Sequence, residues 1–202
     1  MARPKAFDPE TTLDIAVERF WQHGYDGLPI QELCRAMGLN PGSLYGAYGD
    51  KRSLFLAAFD RYAATVSKRA IERVLDAPSG LAGIRSYFAH MIESILDGKR
   101  RWGCLATNAA VELAARDPEI ALKVQAHFQR LEQAFAAALA RAEEDGEIGA
   151  ASRELAPYLV CTVQGLNVVA KTKPSRGRLE GIVAAALQTL TPSARRGGET
   201  LQ

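Results

Sequence analysis

The sequence predicts an all-α protein of about nine helices. Three observations carry this. Apolar residues recur with helical period in nearly every segment. Helix-boundary residues (Pro, Asn, Asp, Gly) punctuate those segments. No convincing strand run and no internal repeat interrupts them. The chain has 202 residues and is 48% hydrophobic, enough for one substantial core or for a small domain plus a larger one.

The first helix is expected over 9–23, with Leu13, Val17, Phe20 and Trp21 on one stripe and Ile15 and Ala16 flanking it. Pro9 sits just inside its start and Gly24 just past its end. The second spans 29–37 on Ile30, Leu33, Cys34 and Met37, and Gly38 ends it. Asn40 can cap a short third helix, 41–47, with Pro41 at its first position. Asp50 caps a long fourth helix that runs to about Ala77, where Pro78, Ser79 and Gly80 break it. Five more helices are expected near 79–97, 104–115, 117–145, 152–171 and 176–190. Gly98, Gly103, Asp117–Pro118, Gly146–Glu147 and Pro174 separate them. The implied organisation is an N-terminal three-helix domain, residues 1–52, and a larger helical effector and dimerisation domain, residues 53–192. A frayed tail follows, residues 193–202.

The net charge of +2 gives no global basic field, so any nucleic-acid contact must rest on placed residues. Residues 1–52 hold six Lys or Arg against seven Asp or Glu, so the cations must be sorted onto one face. Three cysteines, Cys34, Cys104 and Cys161, lack paired spacing and suit free thiols in a reducing compartment. His23, His90 and His127 show no metal-ligand spacing with them, and no cofactor is implied. No apolar leader and no membrane-length run is present, so the expectation is a cytoplasmic protein with no membrane partner.

Three helices with a glycine-containing turn between the second and third are the layout of a helix-turn-helix. In that layout Gly42 lets backbone approach DNA, and Ser43 offers a hydroxyl to a phosphate or a base edge. Tyr45 and Tyr48 can reach phosphates while their rings pack on the small domain. Lys51, at the start of the fourth helix, can hold a phosphate, and Arg52 can add to it. Arg3 and Lys5 form a basic arm suited to the minor groove, or simply a disordered start. The stretch "LNPGSLYGAYGDKRSLF" resembles the signature of the tetracycline-repressor (TetR) family of transcriptional regulators, with "ERFWQHGYDG" similar to that family's passage from helix 1 into helix 2. The resemblance is specific over about residues 9–60 and weaker beyond. It implies double-stranded palindromic operator DNA as a partner and Asn40, Gly42, Ser43, Tyr45, Ala47, Tyr48 and Lys51 as the contact set. Two positions depart from the family pattern. Leu28–Pro29 replaces the usual Ser or Thr before helix 2, so the cap must come from Asp26 or Gly27. Small Gly46–Ala47 replaces a larger residue, which leaves Ala47 to touch a thymine methyl.

The resemblance also implies a homodimer built by the last two helices across a two-fold axis. "ELAPYLVCTVQGLNVVAKT" is apolar on more than one face, and "RLEGIVAAALQTL" is similar. Leu159, Val163, Leu166, Ile182, Val183 and Leu187 are the expected interface; the competing reading is a two-sided core helix within one subunit. Candidate effector-lining residues are Phe59, Tyr62, Phe88, Met91, Asn108, Phe128 and Gln164, each competing with a plain core role. Cys104 follows Gly103 at an expected helix start, three to four residues from Arg100 and Arg101. That environment favours a reactive thiolate, although a small buried apolar residue is the simpler role. Gly-Cys-Leu here also resembles a subset of the family that senses oxidants or electrophiles through this cysteine.

The expected function is therefore a homodimeric repressor that a small-molecule or thiol-reactive inducer releases from DNA, with helix 4 transmitting the change between domains. The alternative is a thiol-dependent enzyme using Cys104 as nucleophile and His90 or His127 as base.

Overall fold

Capping side chains set most helix starts. The computed structural model describes residues 8–190 and is all helical over them. In α1 (Pro9–His23) the Asp8 carboxylate accepts from the backbone N–H of Glu10 and Thr11, and Gly24 closes the far end. α2 (Ile30–Met37) has no side-chain cap; Pro29 holds the N-cap position and its carbonyl takes the Glu32 and Leu33 N–H groups. The cap expected from Asp26 or Gly27 is thus absent: Pro29 holds the N-cap position and the Asp26 carboxylate pairs with Arg116 instead. α3 (Pro41–Tyr48) is capped by Asn40, whose Oδ1 accepts from Ser43 N–H at 2.8 Å. Leu44 is its buried anchor.

α4 (Lys51–Tyr62), capped by Asp50, does not run unbroken to Ala77 as expected. A π-helical turn (Ala63–Ser67) follows, and α5 (Lys68–Leu75) continues the rod. Such a turn inserts an extra residue and re-aims the flanking side chains. Then come α6 (Gly80–Leu96), α7 (Leu105–Glu112), α8 (Pro118–Glu144), a 3-10 turn (Ala150–Leu155), α9 (Ala156–Ala170) and α10 (Arg176–Gln188).

The interior is two apolar clusters. One joins Phe20, Leu33, Leu44, Phe55 and Phe59 of the first four helices to Leu105 and Ala109 of α7 and to Ile120 and Val124 of α8. The other joins Phe88 and Met91 of α6 to Leu131, Phe135 and Leu139 of α8 and to Leu159, Val163 and Leu166 of α9. α8 therefore enters both clusters, one with each half, and Phe128 packs against both. The first cluster crosses the boundary expected at residue 52, because the 51–75 rod and α7 complete the small domain's core.

Candidate nucleic-acid interface and sensor site

α3 is short and shows most of its surface. Gly42 and Ser43 are exposed, Tyr45 is 46% exposed, and Ala47 is half-buried. Asn40 spends its side-chain oxygen on the cap, so it positions the helix. The Tyr48 hydroxyl is buried without a partner, unlike that of Tyr45, which sits on the exposed side. Lys51 is half-buried with Nζ 4.5 Å over the Tyr25 ring, and burial lowers its pKa. Arg52 is not available beside it. Its guanidinium makes a bidentate pair with Asp117, at 2.6 and 3.0 Å, and reaches Glu119 at 2.7 Å. That pair holds the Asp117 carboxyl down at about 2. Arg3 and Lys5 lie outside the described residues.

The small domain's acids are absorbed by caps and by cations of the larger body. Asp8 and Asp50 cap helices. Asp14 and Glu10 pair with Arg61, and Asp26 pairs with Arg116. Five of the seven acids of residues 1–52 are engaged in this way, which offsets that segment's lack of a basic excess.

A second site lies where the two apolar clusters meet. Cys104 is the N-cap of α7 and is 4% exposed. Its Sγ is 3.2 Å from the Tyr62 hydroxyl, which the last residue of α4 delivers just before the π turn. His127 of α8, 6% exposed, stands over the Tyr62 ring at 6.1 Å and the Phe59 ring at 6.2 Å. Arg100 and Tyr87 complete the group around a cavity of about 20 Å³. Burial pushes the Cys104 thiol up, but hydrogen bonding and charge from His127, the Tyr62 hydroxyl and the Thr107 N–H outweigh it and bring it down to about 6. Burial and the neighbouring Cys104 push the Tyr62 phenol well above its ordinary value, and burial pushes Tyr87 up to about 12.

Three of the expected effector residues line this cavity: Tyr62, Cys104 and Gln164, whose Oε1 accepts from Thr107 at 2.5 Å. The others are elsewhere. Phe59 lies in the first cluster, Phe88 stacks on Phe135 with centroids 6.1 Å apart, and Met91 is core. Asn108 donates to the Trp102 carbonyl at 3.0 Å, and Phe128 bridges the clusters. The sequence pointed to His127 only as a histidine without metal-ligand spacing and as an alternative enzyme base. Its signal was a histidine on the buried stripe of α8, between Val124 and Leu131. Arg101 turns away from Cys104 and stacks on Trp102 at 4.4 Å.

α7 ties this site to the helix-turn-helix. At its start the Gly103 carbonyl accepts from Trp21 Nε1 at 3.1 Å. Gly103 has φ of 77°, and a Cβ there would come within 2.6 Å of the Asn167 carbonyl, so only glycine fits. At its end Glu112 accepts from the backbone N–H of Tyr25 at 2.9 Å and of Asp26 at 2.6 Å. The first grip falls on the last turn of α1 and the second on the turn between α1 and α2. No local sequence pattern announces them.

The expected dimer residues divide. Leu159, Val163 and Leu166 point into the chain's own core, and Val183 is also buried. Ile182 and Leu187 are half-buried. The outward face of α9 instead carries Tyr158, Cys161, Gly165 and Val168. Cys34 is buried in the first cluster. Among the described residues, no group of three His, Cys, Asp or Glu could hold a metal ion, and no helix is long and apolar enough to cross a membrane.

An exposed three-helix unit, fixed on a rod that runs into a larger helical body, defines a helix-turn-helix transcriptional regulator. The chain belongs to the TetR family. Residues 13–58 match the profile "Bacterial regulatory proteins, tetR family", and residues 80–191 match "Tetracyclin repressor-like, C-terminal domain". It is 34% identical to the HTH-type transcriptional regulator YezE of Bacillus subtilis (strain 168), over 94% of this chain and 100% of that one. It is 28% identical to the HTH-type transcriptional repressor ComR of Escherichia coli (strain K12), over 92% of this chain and 90% of that one. Among solved structures, a cysteine mutant of the TetR family regulator CifR, complexed with 26-bp double-strand operator DNA, superposes with a TM-score of 0.82. It is 30% identical, covering 92% of this chain and 98% of that one. Membership of this family makes the chain a regulator of transcription and removes the thiol-enzyme alternative.

Proposed function

We propose that the chain acts in the cytoplasm as a homodimeric repressor. It binds double-stranded palindromic operator DNA through α3 and is released by an inducer sensed at the Cys104 seam. The observation that carries this is the arrangement of α7, whose N-cap is Cys104 and whose last residue, Glu112, grips the turn between α1 and α2. A change at the cysteine therefore has a direct path to the position of the recognition helix. The operator complex of CifR supports the DNA assignment for a chain of this similarity. The bare face of α9, with Tyr158, Gly165 and Val168, supports pairing with a second copy. Pairing sets the spacing of two recognition helices against consecutive grooves, and a shift of that spacing releases the DNA.

The test is operator affinity of purified protein on DNA upstream of its own gene. Tyr45→Phe is expected to weaken binding about threefold to tenfold by loss of one phosphate hydrogen bond. Lys51→Ala is expected to weaken it about tenfold and to lower the salt slope by about one. Unchanged affinity in both variants overturns the α3 assignment. Cys104→Ser is expected to keep operator binding and lose the response to a thiol-reactive inducer.

A further inference from the structure

Arg100 lines two cavities: the small one at Cys104, and a larger one of about 390 Å³ that Cys104 does not line. The larger volume falls in the range of small-molecule sites. Its walls come from both halves of the molecule. Trp21 belongs to α1, Val66 to the π turn, Arg69 and Arg73 to α5, and His90 to α6; Lys99 and Arg100 follow α6.

The charge in this pocket is one-sided. Arg69 and Arg73 stand four residues apart on one face of α5, where like charges repel. One position earlier, Lys68 meets Glu72 at the same spacing, 3.6 Å away. Among the described residues no carboxylate pairs with Arg69, Arg73 or Arg100. The Arg100 guanidinium makes one hydrogen bond, from Nη1 to Asn167 Oδ1 at 3.3 Å, although it carries five N–H donors. Lys99 is compensated, by Asp97 at 2.8 Å. Burial and then Arg73, Arg100 and Lys99 hold the His90 imidazole below its ordinary value, against the pull of Asp97. His90 therefore adds a neutral ring to the wall and the cations stand close around it.

We propose that this pocket is a site for a small organic dianion, a phosphate monoester or a dicarboxylate, whose binding ties α1 to the 51–75 rod and to the segment ahead of α7. Guanidinium groups pair with phosphate and carboxylate oxygens two at a time, which suits Arg69, Arg73 and Arg100 to an anion with several oxygens. Two negative charges offset the repulsion between Arg69 and Arg73 and give Arg100 the counter-charge it lacks. A single negative charge does only part of this. Trp21 and Val66 give the rest of the ligand an apolar wall. The position matters for DNA. Trp21 already holds the Gly103 carbonyl at the start of α7, and Val66 lies in the turn that interrupts the rod. An anion held by all of these elements favours the one arrangement in which they converge. The coupling to DNA rests on the reading of the chain as an operator-binding repressor; the binding does not.

The test is calorimetric titration of the full chain, at fixed ionic strength, with phenyl phosphate, phthalate and benzoate. The expected result is one saturable site per chain for at least one dianion, at least about tenfold tighter than for benzoate. Preference for phenyl phosphate assigns phosphate monoesters as the ligand class, and preference for phthalate assigns dicarboxylates. Arg69 and Arg73 are exposed, so Arg69→Ala and Arg73→Ala should each weaken binding about tenfold without lowering the unfolding midpoint. Arg85→Ala removes an exposed cation of α6 that lines a different pocket, and should leave binding unchanged. Cys104→Ser should also leave it unchanged, and loss of binding there overturns the separation of the two cavities. No saturation by either dianion up to about 10 mM overturns the site. Equal affinity for benzoate, or equal losses in Arg85→Ala and Arg73→Ala, overturn it as well. Operator affinity is then measured with and without the preferred dianion, and should change by about fivefold or more. Saturable binding with unchanged operator affinity keeps the site and overturns the coupling. A chain that binds the dianion but no operator overturns the repressor reading and leaves the site standing.

Discussion

The face of α3 and the seam around Cys104 are built on opposite plans. α3 offers its groups from eight consecutive residues, mostly in contact with solvent, and one buried leucine anchors it. The seam draws its groups from several elements of both halves and hides them. A surface that meets a uniform polyanion needs exposed donors in register, and local sequence can supply that. A reactive thiol needs low water access, a proton partner and oriented donors, and only packing brings those together. The difference predicts unequal tolerance: substitutions on α3 change affinity, and substitutions at the seam change stability and response.

The sharpest test of that inequality is at Phe59, which is buried against Phe55 and beside His127. Phe59→Ala should destabilise the chain by about 3–5 kcal/mol, whereas exposed Ser43→Ala on α3 should stay within about 0.5 kcal/mol. Denaturant midpoints of the two variants decide it. Equal losses would break the comparison.

Glu112 lies on the connection between the two sites and should show an intermediate effect. Glu112→Ala leaves the N–H groups of Tyr25 and Asp26 without their carboxylate, a cost of about 1–2 kcal/mol in the unfolding midpoint. Operator binding should persist while release by inducer weakens, as read by affinity with and without the inducing treatment. Full release in this variant would show that the signal travels by the 51–75 rod alone.

The smallest effect concerns Arg52 and Asp117, a second tie between the halves. The Asp117 carboxyl is depressed from its ordinary 3.8 to about 2 in the folded chain. Its contribution is therefore fully present above about pH 4 and is lost as pH falls through about 2. Acid titration of stability should show this loss, and Asp117→Asn should flatten that part of the curve. An unaltered acid profile in the variant would remove this pair from the set of ties.

Much of the architecture was legible because helix formation is local. Asp8, Asn40, Asp50, Ser79, Asp117 and Ser175 all act as side-chain caps at or beside the expected starts. The exposed side of α3 was legible for the same reason, with one exception: an eight-residue pattern does not tell that the Tyr48 hydroxyl turns inward. The seam was half legible. A cysteine after glycine at a helix start marked Cys104, but nothing near it pointed to His127.

The sequence by itself determined where the helices begin and end, that they make a helix-turn-helix with a larger body, and which residues stand on α3. Periodicity and capping act over a few residues, so they are written in order along the chain. Tertiary structure alone decided the partners. It turned Leu159, Val163 and Leu166 of α9 inward and left Tyr158, Cys161 and Val168 outside, because a helix apolar on several sides does not state which side its own core will take. It claimed Arg52 for Asp117, and it joined Tyr62 to Cys104 across 42 residues and Tyr25 to Glu112 across 87. Pairings at that separation follow from packing geometry and leave no periodic trace in the chain.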